Sequence, residues 1–180
     1  MVTNKTTNKT TQAPALRGTA PRTAKKTWAQ KLQNDHGLPK VEPIPANAEA
    51  RWGRGTMLIA APRAVDALMR QVKKGELATI DDLRRALAAR HGATVTCPLT
   101  TGIFANIAAH AADESEQAGG KRVTPYWRTL KAQGELNPKF PGGLGNLRAR
   151  LEAEGHVVVA RGRRLFVVDF DRSRARLAAE

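Results

Sequence analysis

One stretch of this sequence has the order of residue types that is typical of an active site but lacks the side chains that would do the chemistry. Residues 124–143 read TPYWRTLKAQGELNPKFPGG, a proline and an aromatic pair followed by a polar turn and a glycine pair. This order predicts a strand that leads into a loop, where catalytic groups are often found. The stretch contains no cysteine, histidine or serine. The residues in it that we expect to contact a ligand are Tyr126, Arg128, Gly142 and Gly143.

The rest of the chain offers little for nucleophilic or metal chemistry. Its single cysteine, Cys97, precedes Pro98 at the predicted start of a helix, where the helix dipole would lower a thiol pKa. No histidine or acid is close to Cys97 in the sequence, which favours a small buried side chain over a nucleophile. The four histidines lie far apart without metal-ligand spacing. We therefore expect no metal site and no cofactor.

The charge of the chain points to a polyanionic partner. Thirty Lys and Arg residues face 16 Asp and Glu residues, which gives a net charge of +14. Nucleic acid is the polyanion that fits best, and we expect double-stranded DNA, with RNA or the ribosome as the alternative. The apolar runs are too short to cross a membrane, and the N-terminus has no apolar signal core. We expect a monomer in the cytoplasm or on the nucleoid, without a membrane partner.

Residues 1–26 predict a disordered basic arm. They hold six basic residues and no acid among many Thr, Asn, Pro and Ala residues. Such a segment buries too little apolar surface to offset the entropy of ordering it. We expect the arm to make salt-sensitive phosphate contacts, including those of Lys25 and Lys26, while a solubilising tail is the alternative.

The apolar pattern predicts a winged-helix domain, mainly α with a small β component. Residues 27–51 read as a short helix, with Thr27 as its N-cap and Gly37 as its C-cap, and an extended proline-rich strap. Residues 52–180 read as the domain itself, which ends in a frayed helix over residues 171–180. Two β-branched runs flank RGRR at residues 161–164, a hairpin with a basic tip. The helices of the domain are predicted at residues 61–75, 81–92, 100–116 and 145–155.

In a winged helix, the second helix of the helix-turn-helix enters a DNA groove and the hairpin contacts the backbone. The helix at residues 100–116 has no Lys or Arg, so we expect it to read little base sequence. Its small residues permit close approach to a backbone. The helix residues expected at the nucleic acid are Thr100, Thr101 and Asn106. The hairpin residues expected at phosphates, unless the turn is simply solvated, are Arg161, Arg163 and Arg164.

The order of motifs resembles the DNA-binding domain of alkylguanine-DNA alkyltransferases (methylated-DNA–protein-cysteine methyltransferases) and their alkyltransferase-like relatives. GELATIDDLRRAL resembles the family's Gly-Lys-Val-Thr-Thr-Tyr-Gly-Glu-Ile-Ala segment, and TPYWRTL resembles Ile-Pro-Cys-His-Arg-Val-Val. GELNPKFPGGLGNLRARLEAEG is similar to the family's glycine-pair loop and last helix. The resemblance covers about residues 56–155. It implies a winged helix that approaches the minor groove and binds a guanine turned out of the duplex.

The resemblance also implies DNA binding without alkyl transfer. Pro125 and Arg128 match the family motif, but Tyr126 stands at the cysteine position and Trp127 at the histidine position. A tyrosine whose pKa is near 10 is a poor nucleophile at neutral pH. We expect a non-enzymatic protein that binds or senses damaged DNA and has no catalytic residue. Alkyl transfer to a displaced acceptor, Cys97, is the alternative.

The residues with which the family turns a nucleotide out of the duplex are also replaced. The tyrosine that rotates the phosphate falls on Ile80, and the arginine that fills the vacated stack falls near Leu99. The glycine pair of the substrate loop is kept as Gly142 and Gly143. What the resemblance preserves is therefore the scaffold, the charge and the loop.

Removing residues 1–26, or changing Arg161, Arg163 and Arg164 together to Ala, should weaken DNA binding. Each phosphate contact that is lost should lower the slope of log K against log salt by about 0.9. Fluorescence anisotropy with a labelled duplex at several salt concentrations measures both quantities. Unchanged affinity and slope in both variants would refute the prediction.

Overall fold

The architecture is that of a computed structural model, which describes Met1 and residues 25–177. In this part of the chain, six α-helices surround three small sheets, which confirms a mainly helical class with a small β component. The rest of the predicted arm, residues 2–24, lies outside the described residues. The helices are α1 (Trp28–Gln33), α2 (Glu49–Trp52), α3 (Pro62–Gln71), α4 (Ile80–Arg90), α5 (Pro98–Gln117) and α6 (Gly143–Ala153). The strands are β1 (Lys40–Pro43), β2 (Thr56–Ile59), β3 (Ala78–Thr79), β4 (Val95–Thr96), β5 (Thr129–Leu130), β6 (Val158–Arg161) and β7 (Arg164–Val167).

Helix α5 is the centre of the core, and α1, α3 and α4 all pack against it. The predicted helix at residues 100–116 is confirmed and begins at Pro98, because proline at the first helical position needs no hydrogen-bond acceptor. Its buried face consists largely of small side chains, which let the neighbouring helices approach closely. The buried small residues of α5 are Thr101, Ala105, Ala108, Ala109, Ala111 and Ala112.

Capping residues fix where two of the helices begin. The predicted N-cap of α1 at Thr27 is confirmed, and its side chain forms a capping box with Gln30. The predicted end of α1 at Gly37 is wrong, because the helix stops at Gln33. Helix α4 begins with a second capping box, formed by Thr79 and Asp82.

The proline-rich strap is extended, as predicted, and forms the edge strand β1. It pairs antiparallel with β2, which pairs in parallel with β4. In the second sheet, β3 pairs in parallel with β5. The predicted strand around Tyr126 is wrong: residues Tyr126–Arg128 form a single 3-10 turn, and only Thr129 and Leu130 are a strand. Tyr126 and Trp127 therefore do not alternate across a sheet.

The hairpin with the basic tip is confirmed as β6 and β7. Arg161 pairs with Arg164, so Gly162 and Arg163 form a two-residue turn, with Gly162 at a φ of 62°. The C-terminal segment was predicted as a frayed helix. Instead, after a 3-10 turn at Phe170–Ser173, its backbone pairs alongside Leu77.

Asp82 joins this C-terminal segment to the start of α4. Its buried carboxylate accepts hydrogen bonds from the Thr79 N–H (2.8 Å) and hydroxyl (2.7 Å) and from Nε of Arg174 (3.1 Å). Burial alone would raise the pKa of Asp82, but the bonds from Thr79 and Arg174 hold this pKa below its usual value. The carboxylate therefore stabilises the folded chain only while it is ionised.

Acidification should remove the contribution of Asp82 to stability. Its pKa is lower in the folded than in the unfolded chain, so the contribution is complete above the unfolded value of about 3.9 and is lost as pH falls through the folded pKa. Wild type should exceed Asp82→Asn in the free energy of unfolding at pH 7, and this difference should shrink toward pH 3. Urea titrations across pH measure it.

Asp169→Asn is the matched control for this experiment, because Asp169 is exposed and lies outside the network. Its difference from wild type should be small at pH 7. A wild-type advantage over Asp82→Asn that stays constant from pH 7 to pH 3 would contradict the prediction.

Candidate nucleic-acid interface

A groove of about 710 Å³ lies where α1, the first turns of α5 and the segment after β5 meet. Its floor is apolar, and three lysines stand around it. The lining from α1 and α5 consists of Trp28, Lys31, Pro98, Leu99, Gly102, Ile103, Asn106 and Ile107. The lining from α4 and from residues 131–139 consists of Ile80, Asp81, Lys131, Ala132, Asn137 and Lys139.

Helix α1 forms one wall of the groove and is firmly attached to α5. The Trp28 ring stacks on His110, with centroids 4.4 Å apart and planes inclined by 17°. The Ala29 N–H donates to Glu114 at 2.9 Å. Nζ of Lys31 lies 3.7 Å from the centre of the Trp28 ring, which holds this cation at the groove. Lys25 and Lys26 are exposed and directly precede this wall.

The opposite wall is attached to the hairpin through one buried carboxylate. Glu135 accepts from Nζ of Lys131 at 2.6 Å and pairs with Arg164 at 3.4 Å. The backbone adds a hydrogen bond from the Leu136 N–H to the Leu165 carbonyl (2.9 Å). The hairpin therefore adjoins the wall that carries Lys131, and its basic tip extends the charged rim of the groove.

Most carboxylates in the described part of the chain form ion pairs. Asp81, the acid in the groove lining, is itself paired with Arg84 at 2.7 Å. Among the described residues, Lys31, Lys139 and Arg163 have no ion-pair partner. The excess positive charge of the chain is therefore exposed in part at the groove and at the hairpin tip.

The predicted nucleic-acid-contacting residues fall into an accessible group and a buried group. Asn106 lines the groove, and the side-chain oxygen of this residue is buried without a hydrogen-bond partner in the described structure. Thr100 is half-buried and does not line the groove. Arg161, Arg163 and Arg164 are exposed at the hairpin. The buried group consists of Thr101 and Tyr126, and the largely covered side chain of Arg128, which is 13% exposed, belongs with it.

Tyr126 fills the interior at the position where the resemblance has a cysteine. Its side chain is 0% exposed, and its ring meets Trp127 and Phe140 edge-on at centroid distances of 5.4 and 5.9 Å. Burial raises the pKa of Tyr126 above its usual value, although Arg150 acts in the opposite direction. Tyr126 therefore has no surface on which a base could stack, and its phenol stays protonated at neutral pH.

Arg128 and Thr101 are also engaged within the fold rather than at its surface. Arg128 forms an ion pair with Glu154 at 2.8 Å and donates to the Val72 carbonyl at 2.7 Å. Burial would raise the pKa of Glu154, but hydrogen bonds from Arg128, Trp127 and the Gly75 N–H lower it. Thr101 donates to the Cys97 carbonyl at 2.8 Å. The expectation of a phosphate contact at Arg128 is therefore corrected to a structural ion pair.

The glycine pair has a conformational role. Gly142 and Gly143 have φ values of 72° and 67°, in the left-handed region that favours glycine. A Cβ atom at Gly142 would collide with Asn146. These glycines therefore turn the chain into α6; Gly142 is exposed and Gly143 is half-buried.

The structure places Cys97 at the N-cap of α5, as expected, but gives it no neighbouring base among the described residues. Its thiol is free and half-buried, and its N–H donates to the Leu58 carbonyl at 2.8 Å. No histidine or carboxylate in residues 25–177 is hydrogen-bonded to it. In the same part of the chain, no three His, Cys, Asp or Glu side chains are grouped so that they could hold a metal ion. No helix there is both long and apolar enough to cross a membrane.

Sequence reasoning missed the groove because its walls come from distant parts of the chain. In the sequence, Trp28 and Lys31 indicate only a short helix, and Lys131 and Lys139 indicate only a turn. The missed signal was the charge pattern of residues 131–139, in which two lysines flank one acid. Leu99 falls near the position at which the resemblance has an arginine, but nothing in the sequence indicates that its side chain is exposed.

Comparisons with known proteins yield one weak structural likeness. No protein-family model matches the chain, and no curated protein matches it. A crystal structure of S. pombe Atl1 in complex with damaged DNA containing O6-carboxymethylguanine matches 63% of this chain and 92% of that chain. The identity is 16% and the TM-score is 0.45, so the two are distant in both sequence and geometry.

Substitutions at Tyr126 should separate a packing role from a binding role. Tyr126→Phe keeps the ring, so the free energy of unfolding should stay within about 1 kcal/mol of wild type. Tyr126→Ala leaves a cavity and should cost about 3–5 kcal/mol. Urea unfolding measures both, and duplex affinity of Tyr126→Phe should equal that of wild type. If the Tyr126→Phe variant folds but no longer binds DNA, the phenol is part of the interface and the prediction is wrong.

Proposed function

We propose that this chain is a non-enzymatic DNA-binding protein whose interface is the groove together with the β6–β7 hairpin. The observation that carries the proposal is that Glu135 binds both Lys131 of the groove and Arg164 of the hairpin, so these two features adjoin each other. Lys31 and Lys139 at the groove and Arg163 at the hairpin remain without an ion-pair partner among the described residues. Duplex phosphates are the ligand that such a face attracts at long range. The +14 net charge of the chain adds to this attraction.

In this proposal, α4 and α5 act as the helix-turn-helix and the hairpin acts as the wing. The first turns of α5 are free of charged side chains and include Gly102, at which an added Cβ would meet no atom within 4 Å. This part of α5 can approach a DNA groove closely, while Lys31 and Lys139 reach the phosphates on either side. The contacts are mostly with the backbone, so binding should vary little with base sequence.

Two observations favour binding without chemistry. Tyr126 is buried and its raised pKa keeps the phenol protonated. Within residues 25–177, Cys97 has no hydrogen-bonded base. The finer part of the proposal concerns damaged DNA: since Tyr126 occupies the position that resembles the family's reactive site, we expect little preference for an O-alkylated guanine over an unmodified one.

Anisotropy titrations with three matched probes test the proposal. The probes are an unmodified duplex, the same duplex with one O-alkylguanine, and an RNA hairpin of similar charge, each at two salt concentrations. We expect both duplexes to bind equally and more tightly than the RNA. Tighter binding to the RNA would instead support the RNA- or ribosome-associated alternative, and a strong preference for the lesion would support a damage sensor.

Lysines at the groove should matter more than lysines elsewhere. Changing Lys31 and Lys139 together to Ala should weaken duplex binding and lower the salt slope by about 1 for each lysine. The matched control changes Lys73 and Lys74, which are exposed and do not line the groove. Equal losses in the two double variants would mean that charge alone, and not this face, determines binding.

A further inference from the structure

The outer edge of strand β6 is unpaired. The Val168 N–H donates to the Val157 carbonyl at 2.9 Å, so alternate residues of the strand, beginning with this valine, bond to β7. The N–H and carbonyl groups of Val158 and Ala160 point the other way, to the outer edge of the hairpin. Within residues 25–177, these groups form no hydrogen bond. Such an edge is a template on which another strand can pair.

Other sheet edges of the protein are covered or blocked. The outer edge of β1 is flanked by Pro39 and Pro43, which have no N–H. The Thr96 carbonyl of β4 accepts from Nε of Arg84 at 2.9 Å. On the outer edge of β7, the Leu165 carbonyl accepts a backbone N–H from the groove wall, also at 2.9 Å. In the described part of the chain, the edge of β6 has no cover of these kinds.

The outer face beside this edge is aliphatic at one end and cationic at the other. Val157 is 62% exposed, and Val168, opposite it on the hairpin, is 42% exposed. Because alternate residues of a strand share a face, this face also carries Val159 and Arg161. The guanidinium carbon of Arg161 lies 5.0 Å from the centre of the Phe166 ring, and Arg161 has no ion-pair partner among the described residues. Aliphatic surface and an available positive charge therefore follow each other along one strand.

We propose that the edge of β6 is a docking strand for an extended, acidic segment of a partner protein. The segment adds to the hairpin as a third, antiparallel strand, and its backbone bonds to that of Val158 and Ala160. On the outer face, it places aliphatic side chains beside Val157 and Val159 and a carboxylate beside Arg161. The +14 net charge of the chain attracts such a segment. The inference is independent of the proposed binding of DNA.

A polypeptide strand matches this edge better than a nucleic acid does. Phosphate oxygens accept hydrogen bonds but cannot donate to the carbonyls of Val158 and Ala160. Covering the edge with a duplex would leave these carbonyls unpaired, whereas a second backbone supplies donors and acceptors in alternation. A second copy of this chain would bring another set of hairpin arginines to the edge, and like charges on paired strands oppose the pairing.

A nuclear magnetic resonance titration of the nitrogen-15-labelled full chain tests the proposal. The probe is the blocked peptide Thr-Glu-Thr-Val-Thr-Val-Thr, which in the antiparallel register places Glu opposite Arg161 and the valines opposite Val159 and Val157. The amide signals of Val158 and Ala160 should shift as peptide is added. Their hydrogen exchange should slow by about tenfold once most of the protein is bound, since these N–H groups become hydrogen-bonded.

The amide of Val41 is an internal control in the same spectra. It lies on the outer edge of β1 between Pro39 and Pro43, and these prolines prevent a second strand from pairing there. Its signal and its exchange rate should not change when peptide is added.

Two methylated peptides separate strand pairing from charge attraction. Methyl groups on the Thr nitrogens remove the donors that face β6, because the Thr residues lie opposite Val158 and Ala160. This peptide should bind at least tenfold more weakly than the parent. Methyl groups on the Glu and Val nitrogens, which face away, should leave binding unchanged. The two peptides carry the same charge and the same side chains.

Substitutions in the protein test the same edge from the other side. Ala160→Pro removes an outward N–H while leaving the bonds to β7, so peptide binding should be lost. Val157→Thr should weaken binding several-fold, because it replaces exposed aliphatic surface beside the added strand. The matched control is Val41→Thr, since Val41 is 46% exposed on a different strand. If Ala160→Pro does not fold, the methylated peptides still test the backbone bonds in the unaltered protein.

Three outcomes would overturn the proposal. The first is that the amide signals of Val158 and Ala160 stay unchanged at millimolar peptide. The second is equal binding of the two methylated peptides, which would mean that side chains alone attract the probe. The third is a dimer in sedimentation that Ala160→Pro converts to a monomer, which would assign the edge to a second copy of the chain.

Discussion

Close packing along α5 is the constraint on which the rest of the structure depends. Its buried face carries alanines and Thr101, and three other helices pack against it. Phe104 and, further along, the ring stack of Trp28 on His110 supply the bulk that the alanines lack. A helix packed on so many sides has little surface left, and the first turns are where its large side chains emerge. Both the position of the groove and the exposure of Leu99 follow from this crowding.

The distribution of ion pairs explains how a strongly basic chain keeps a stable fold. The carboxylates with the least exposure, Asp82, Glu135 and Glu154, each bind more than one donor and connect segments that are distant in the sequence. These carboxylates hold cations such as Arg128 in ion pairs within the domain. These ion pairs reduce the repulsion between the basic side chains. The cations that remain unpaired include residues at the groove and at the hairpin.

The sequence allowed prediction of the elements whose information is local. Apolar spacing and the Thr27 cap indicated helices, and paired β-branched runs around residues 161–164 indicated the hairpin. Tyr126 was misjudged because alternation on a strand assumes extended backbone, whereas a 3-10 turn directs the ring into the core. The groove could not be predicted, because Lys31 and Lys139 are more than a hundred positions apart and only tertiary packing brings them together. In the same way, which cations remain unpaired depends on which basic residues the carboxylates contact in the folded chain.

Glu135 has a consequence for the kind of double helix that the protein can accept. By accepting from Lys131 on the groove wall and pairing with Arg164 on the hairpin, it keeps these two cationic sites at a set separation. B-form and A-form duplexes have grooves of different width, so the phosphates on the two sides of a groove lie at different separations. In the proposed binding mode, this fixed separation makes the fit of a duplex depend on the width of its groove rather than on the identity of any base.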